Sequence, residues 1–184
     1  GSLFSGIGGL DIATEAIFGG EVVWHSEVDP YACHVLRQWW PGVPNLGNIQ
    51  AVRHFPPASV LSGGFPCQDI SSAGTREGLR GRRSGLWSEF VRAIRDVGPD
   101  FVVVENVGQL RARGLDQVLA QLAQAGFDAE WTSLRAANVG APHRRERVFI
   151  LAYADRVLIR ELAERLELDP AQRWDAWVGK AREL

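Results

Sequence analysis

The sequence predicts an α/β domain built on a doubly wound, mostly parallel sheet and followed by a helical C-terminal tail. Two observations predict it. Short apolar, β-branched runs alternate with amphipathic stretches at a spacing that suits strand–helix–strand units. The residues least suited to a core, those of segment 4–9 with Glu27, Cys67 and Glu105, each follow the end of such a run. In sheets of this kind ligands sit beyond the carboxyl ends of the strands.

Residues 2–4 end a first strand, and the segment "GIGGLDIATEAIFGG" supplies a turn and a helix. Residues 21–26 (EVVWHS) form the second strand. Asp29 and Pro30 then act as N-cap and first turn of a helix reaching Trp39. Residues 58–63 are the third strand, 86–97 a helix, and 101–105 (FVVVE) a buried strand. Residues 115–125 form a helix closed by Gly126, and 131–134 and 147–153 are the last two strands. These elements give a domain over residues 1–154. From Asp155 the character turns helical, with a break at Asp169 and Pro170 and apolar stripes through Leu158, Leu162 and Leu166 and through Trp174 and Trp177. The tail 155–184 is expected to dock on the domain or to offer a surface to another chain.

With 184 residues and 46% apolar content, the chain suits one well-buried domain. No apolar run approaches the roughly 20 residues of a membrane span, and the first residues lack the pattern of a signal peptide. A cytoplasmic protein is expected, with Cys33 and Cys67 as free thiols. The net charge of −2 excludes a globally basic nucleic-acid binder. Lysine occurs once, however, so 19 of the 20 basic residues are arginine. They cluster at Arg76, Arg80, Arg82 and Arg83, at Arg111 and Arg113, and at Arg144, Arg145 and Arg147. Arginine is the better partner for phosphates.

Four constellations carry chemistry. The glycine-rich turn at 4–10 (FSGIGGL) lets a ligand approach the backbone closely. Glu27, about 20 residues on, is either a ribose-binding carboxylate or a surface one. Cys67 follows Pro66, which holds it at the strand's end. It is a nucleophile if its pKa is lowered, or else an inert buried thiol. Glu105 directly follows four apolar strand residues and must be paired, protonated or functional. Arg145 and Arg147, two apart ahead of another buried strand, point to one face and serve a pocket, a phosphate or a salt bridge. No metal site is expected.

Taken together, FSGIGG (4–9), Glu27, GNI (47–49), GFPCQ (64–68), SGLW (84–87), ENV (105–107) and RER (145–147) resemble the cytosine-specific carbon-5 DNA methyltransferases over about residues 3–153. The resemblance implies a Rossmann-like fold that binds S-adenosylmethionine, and double-stranded DNA as partner. It implies that Cys67 adds to carbon 6 of a flipped-out cytosine. Glu105 would hold the N3 edge and amine of the base, and Arg147, with Arg145, the base carbonyl and the site backbone. Implied cofactor contacts are Phe4, Gly6, Gly8 and Gly9 around the methionine part and adenine, and Glu27 at the ribose. Val28 and Ile49 would flank the adenine, Asn48 its amine, and Gly64, Pro66 and Leu86 would form the pocket wall. The segment 71–85, carrying Arg76, Arg80, Arg82 and Arg83, is where the family closes over DNA.

Asn48 stands where the family usually has Asp, so an amide replaces a charge. No target-recognition domain or closing Gly-Asn-Ser block follows residue 153. The expectation is either a split enzyme whose partner chain carries recognition, a fragment, or a tail that substitutes for the absent part. Other readings are a relative acting on tRNA cytosine and a non-catalytic module that binds cofactor. A nicotinamide oxidoreductase would leave Cys67, Glu105 and Arg147 unexplained.

Overall fold

The computed structural model describes residues 1–66 and 85–154. Cys67, the arginines of the 71–85 segment and the tail 155–184 lie outside the described residues. The elements are β1 (Ser2–Leu3), α1 (Gly9–Phe18), β2 (His25–Ser26), α2 (Pro30–Trp39), β3 (Val60–Gly63), α3 (Gly85–Val97), β4 (Phe101–Val107), α4 (Leu115–Gln124), β5 (Phe127–Arg135) and β6 (Glu146–Ala154). Short 3-10 turns cover Ile49–Ala51, Gly108–Ala112 and Ala136–Val139.

The six strands form one sheet in the order β2-β1-β3-β4-β6-β5. β1 pairs in parallel with both β2 and β3, and β3 pairs in parallel with β4. β1→α1→β2 therefore moves one way across the sheet while β3→α3→β4 moves the other. Right-handed crossovers in opposite directions put α1 and α3 on opposite faces. The strand order reverses at β1, which is where such sheets open a ligand crevice.

The parallel pattern stops at β4. β6 pairs antiparallel with β4 on one side and with β5 on the other. β5 reaches its place through α4, a crossover that leaves a gap beside β4, and β6 folds straight back into that gap without a helix. The pairing β5 makes with β6 runs from Phe127 to Arg135, so the strand extends beyond the expected 131–134. β2 covers His25–Ser26, shorter than the expected 21–26.

Helix α2 matches its expected bounds, with Asp29 Oδ1 accepting the Ala32 N–H at 2.8 Å. Helix α3 buries Trp87, Phe90, Val91 and Ile94, the one-face spacing of an amphipathic helix. These meet Leu3, Leu61, Val102 and Val104 of the central strands in a continuous core. No helix among the described residues is long and apolar enough to cross a membrane.

Candidate active site

The glycine turn and Glu27 are one structure. Leaving β1, Phe4 takes a positive φ of 53°, a conformation that costs a non-glycine residue on the order of 1–3 kcal/mol and is typical of functional turns. Its ring lies 6.4 Å from that of Phe90. The Gly6 N–H donates to Glu27 Oε2 at 2.7 Å, while the N–H groups of Val28 and Asp29 donate to Oε1 at 2.7 and 2.8 Å. A carboxylate has about four lone-pair sites, so capacity remains for a ligand hydroxyl. Gly8, at φ 86°, leaves room for α2 to close beneath the turn: a Cβ there would strike the Trp40 ring at 2.3 Å.

This cradle fits a ribose-bearing cofactor such as S-adenosylmethionine. A Cβ on Gly6 or Gly9 would meet nothing within 4 Å, so the turn faces open space. Beside it Ile7 and Val28 expose 58% and 67% of their surface, apolar faces of the kind a planar base covers. Ile49, by contrast, is 3% exposed and packed into the core, so it offers an adenine little surface. Asn48 is exposed, and its Oδ1 accepts the Gln50 N–H at 3.0 Å as cap of the Ile49–Ala51 turn. Gly64 and Leu86 are half-buried and Pro66 is exposed.

Asn45, which the sequence did not single out, binds these parts together. Its Oδ1 accepts the N–H groups of Glu27 (3.0 Å) and Gly47 (3.1 Å). Its Nδ2 donates to the Glu27 carbonyl at 3.0 Å and to Cys33 Sγ at 3.1 Å. Asn45 also forms a lone parallel bridge to His25, one step beyond β2. An Asn shortly before a glycine is a turn signal, which was the available clue.

At the other side of the crevice, β4 carries Glu105 and β6 carries Arg147. Register pairs Val107 with Arg147, so Glu105, two residues back, shares its face and lies on the diagonal. Arg147 Nε meets Glu105 Oε1 at 2.5 Å. A Cβ on Gly64 would sit 3.1 Å from Glu105 Oε2, so the exit of β3 passes against this carboxylate. Asn106, 3% exposed, donates from Nδ2 to the Phe65 carbonyl at 3.0 Å. It anchors the backbone two residues ahead of Cys67. Arg145 precedes β6 and is exposed, whereas Arg147 is partly buried.

The structure thus brings Phe4, Gly6, Gly8, Gly9, Glu27 and Val28 together at one part of the strand ends, and Gly64, Glu105 and Arg147 at the next. The sequence profile of the C-5 cytosine-specific DNA methylases matches residues 1–170. The chain belongs to this family. It is 35% identical over 159 residues to the type II methyltransferase M2.BsuMI of Bacillus subtilis (strain 168), covering 82% of this chain and 41% of that protein. It is 34% identical over 158 residues to M.NlaX of Neisseria lactamica, covering 82% and 50%. The chain therefore spans about half the length, or less, of these relatives. Its fold is similar to that of S. pombe Dnmt2 methyltransferase (TM-score 0.68, 18% identity, 91% of this chain and 55% of that one). A variant of Spodoptera frugiperda DNMT2 is similar too (TM-score 0.67, 22% identity, 85% and 50%).

Proposed function

We propose that this C-5 cytosine methylase chain transfers a methyl group to carbon 5 of a cytosine flipped out of double-stranded DNA, through a covalent bond to Cys67. The observation that carries the reading is the Glu105–Arg147 pair standing against Gly64, three residues ahead of Cys67. A carboxyl and a guanidinium so arranged present an acceptor and fork-like donors to one edge of a flat heterocycle. A ring carbon inside a duplex is beyond reach, so the base must leave the stack, at roughly a few kcal/mol.

Residues 1–154 act as the catalytic and cofactor-binding unit. The Cys67 thiolate adds to carbon 6 of the cytosine. Glu105 holds the N3 edge and the exocyclic amine, stabilising the ring as charge moves onto it, and Arg147, with Arg145, binds the carbonyl side. Carbon 5 becomes nucleophilic in consequence. S-adenosylmethionine, when bound, would supply the electrophilic methyl group that carbon 5 takes, the sulfonium–methyl bond breaking to release S-adenosylhomocysteine. Loss of the carbon-5 proton then expels the cysteine and restores the aromatic ring. Glu27 binds the ribose with the lone-pair site that Gly6, Val28 and Asp29 leave free, and Val28 covers one adenine face. Phe4, Gly8 and Gly9 shape the turn that receives the methionine part, and Asn48 accepts from the adenine amine. Gly64, Pro66 and Leu86 wall the pocket, with Ile49 contributing little surface. Base-specific groove contacts come from a further segment or a second chain, because a catalytic unit of this kind reads little sequence by itself.

The test is trapping with duplex DNA carrying 5-fluorocytosine in the presence of S-adenosylmethionine, followed by denaturing electrophoresis. A covalent adduct is expected, and Cys67→Ser should abolish it while cofactor binding persists. An adduct that survives Cys67→Ser overturns the covalent role.

A further inference from the structure

Beside the Glu105–Arg147 pair lies an open cavity of about 720 Å³, walled by Arg111, Arg145, Arg147 and Glu146 over the backbone of Val107 and Gly108. Its charges are arranged around Glu146, which points to the sheet face opposite Arg147. Glu146 Oε1 accepts the Ser133 hydroxyl at 2.7 Å and pairs with Arg111 Nη2 at the same distance. The Ser133 bond, with the Arg111 and Arg135 charges, holds its carboxyl below the usual range, so it stays ionised. Gly108 passes beneath it, where a Cβ would lie 3.1 Å from the carboxyl carbon. Glu146 thus aims Arg111, from the turn Gly108–Ala112, at the cavity.

The local charge does not balance. Arg147 is matched by Glu105 and Arg111 by Glu146. Arg145, exposed, has no carboxylate partner among the described residues, while Arg135, opposite Glu146 on β5, brings a second positive charge to that one carboxylate. A positive rim in a chain of net charge −2 is a local feature that favours an anion. Arg111 is 46% exposed and keeps guanidinium N–H groups free of Glu146. The volume suits a sugar–phosphate unit.

We propose that this cavity clamps a backbone phosphate of the DNA strand next to the target nucleotide, with Arg111 as a contact outside the catalytic motifs and Glu146 as its positioning residue. The proposal rests on the DNA-methylation reading above, and the two fail separately. Each phosphate neutralised releases condensed counterions, so the salt dependence of binding counts such contacts.

The experiment measures the affinity of the whole chain for a 5-fluorocytosine duplex by fluorescence anisotropy between about 50 and 200 mM salt. Arg111→Gln is expected to weaken binding several-fold at low salt and to make the log–log salt slope shallower by about one. Arg111→Lys, which keeps the charge, should retain most of the slope. Arg95→Gln, exposed in the last turn of α3 at the end of the sheet where β4 begins, should leave it unchanged. A wild-type protein that forms the Cys67 adduct while Arg111→Gln binds on the wild-type slope overturns this inference and leaves methyl transfer standing. So does an Arg95→Gln effect equal to that of Arg111→Gln, or a wild type whose binding ignores salt. An Arg111-dependent slope without any adduct supports the phosphate site and removes the chemistry.

Discussion

Glu105 and Arg147 meet at 2.5 Å although their backbones sit two residues out of register on antiparallel strands. The diagonal is set by the whole β4–β6 ladder, seven paired positions long, so neither side chain depends on a loop for its placement.

Replacing Arg147 with lysine keeps the charge but removes the planar fork that meets Glu105 and, in the proposed reaction, the base carbonyl. The rate of 5-fluorocytosine adduct formation should fall by about 10²-fold, the usual loss for one charge-stabilising donor. Cofactor affinity, read by calorimetry, should stay within a factor of about two, because Arg147 lies on the other side of the crevice from Glu27. Matching losses in rate and cofactor affinity would count against this division of labour.

Glu27→Gln removes the charge that holds three backbone N–H groups and faces the open cradle. S-adenosylmethionine binding should weaken by about 1.5–3 kcal/mol, the range for hydrogen bonds to a charged group. An unchanged dissociation constant would take Glu27 out of the cofactor site.

Asn45→Ala deletes four hydrogen bonds that fix the backbone of Glu27 and Gly47 and touch Cys33. Because Asn45 acts through Glu27, the expected signature is a rise of about tenfold in the Michaelis constant for cofactor, with turnover at saturation nearly intact. A loss confined to turnover would refute this positioning role.

The buried pair beneath the glycine turn predicts a pH effect. Asp11 and His25 are each 1% exposed, with Asp11 Oδ2 3.6 Å from His25 Nε2. Burial raises Asp11 to about 6 and lowers His25 to about 4. Native Asp11 keeps a proton that the unfolded chain releases above about 4, so its contribution to stability improves as pH falls from 6 toward 4. Native His25 refuses a proton that the unfolded chain takes below about 6.5, so its contribution worsens over the same interval. The two oppose each other in the wild type. Relative to wild type, Asp11→Asn should lose a few °C of Tm between pH 6.5 and 4.5, by roughly 2–4 °C per kcal/mol, and His25→Gln should gain. Parallel curves for all three proteins would remove the pair as the cause.

Local chemistry was legible in the sequence and partnership was not. Asp29 and Pro30 fix the start of α2 within one turn, and Gly126, at φ 83°, ends the segment after α4, because these signals act over a few residues. Strand lengths depend on partners far along the chain. β2 shrinks to His25–Ser26, β5 grows to nine residues, and the insertion of β6 beside β4 leaves no local mark. The same division holds at the site. Glu27, Glu105 and Arg147 stand out as charges following or leading apolar runs. Asn45 does not, since its function lies in bonds to backbone 18 residues away. Ile49 was expected to flank a base; that it is only 3% exposed follows from distant core partners, which its sequence neighbours do not reveal.

The threading of β6 between β4 and β5 has a consequence for biosynthesis. A ribosome-bound chain that has emerged only through residue 135 carries a β4 edge with its neighbour still in the exit tunnel. Such an edge is adhesive, and translation at roughly 5–20 residues per second leaves it open for about a second or more. The guanidinium that meets Glu105 arrives on the strand that seals this gap. A stalled nascent chain would therefore be sticky and would lack the Glu105–Arg147 pair, and both conditions end when β6 docks.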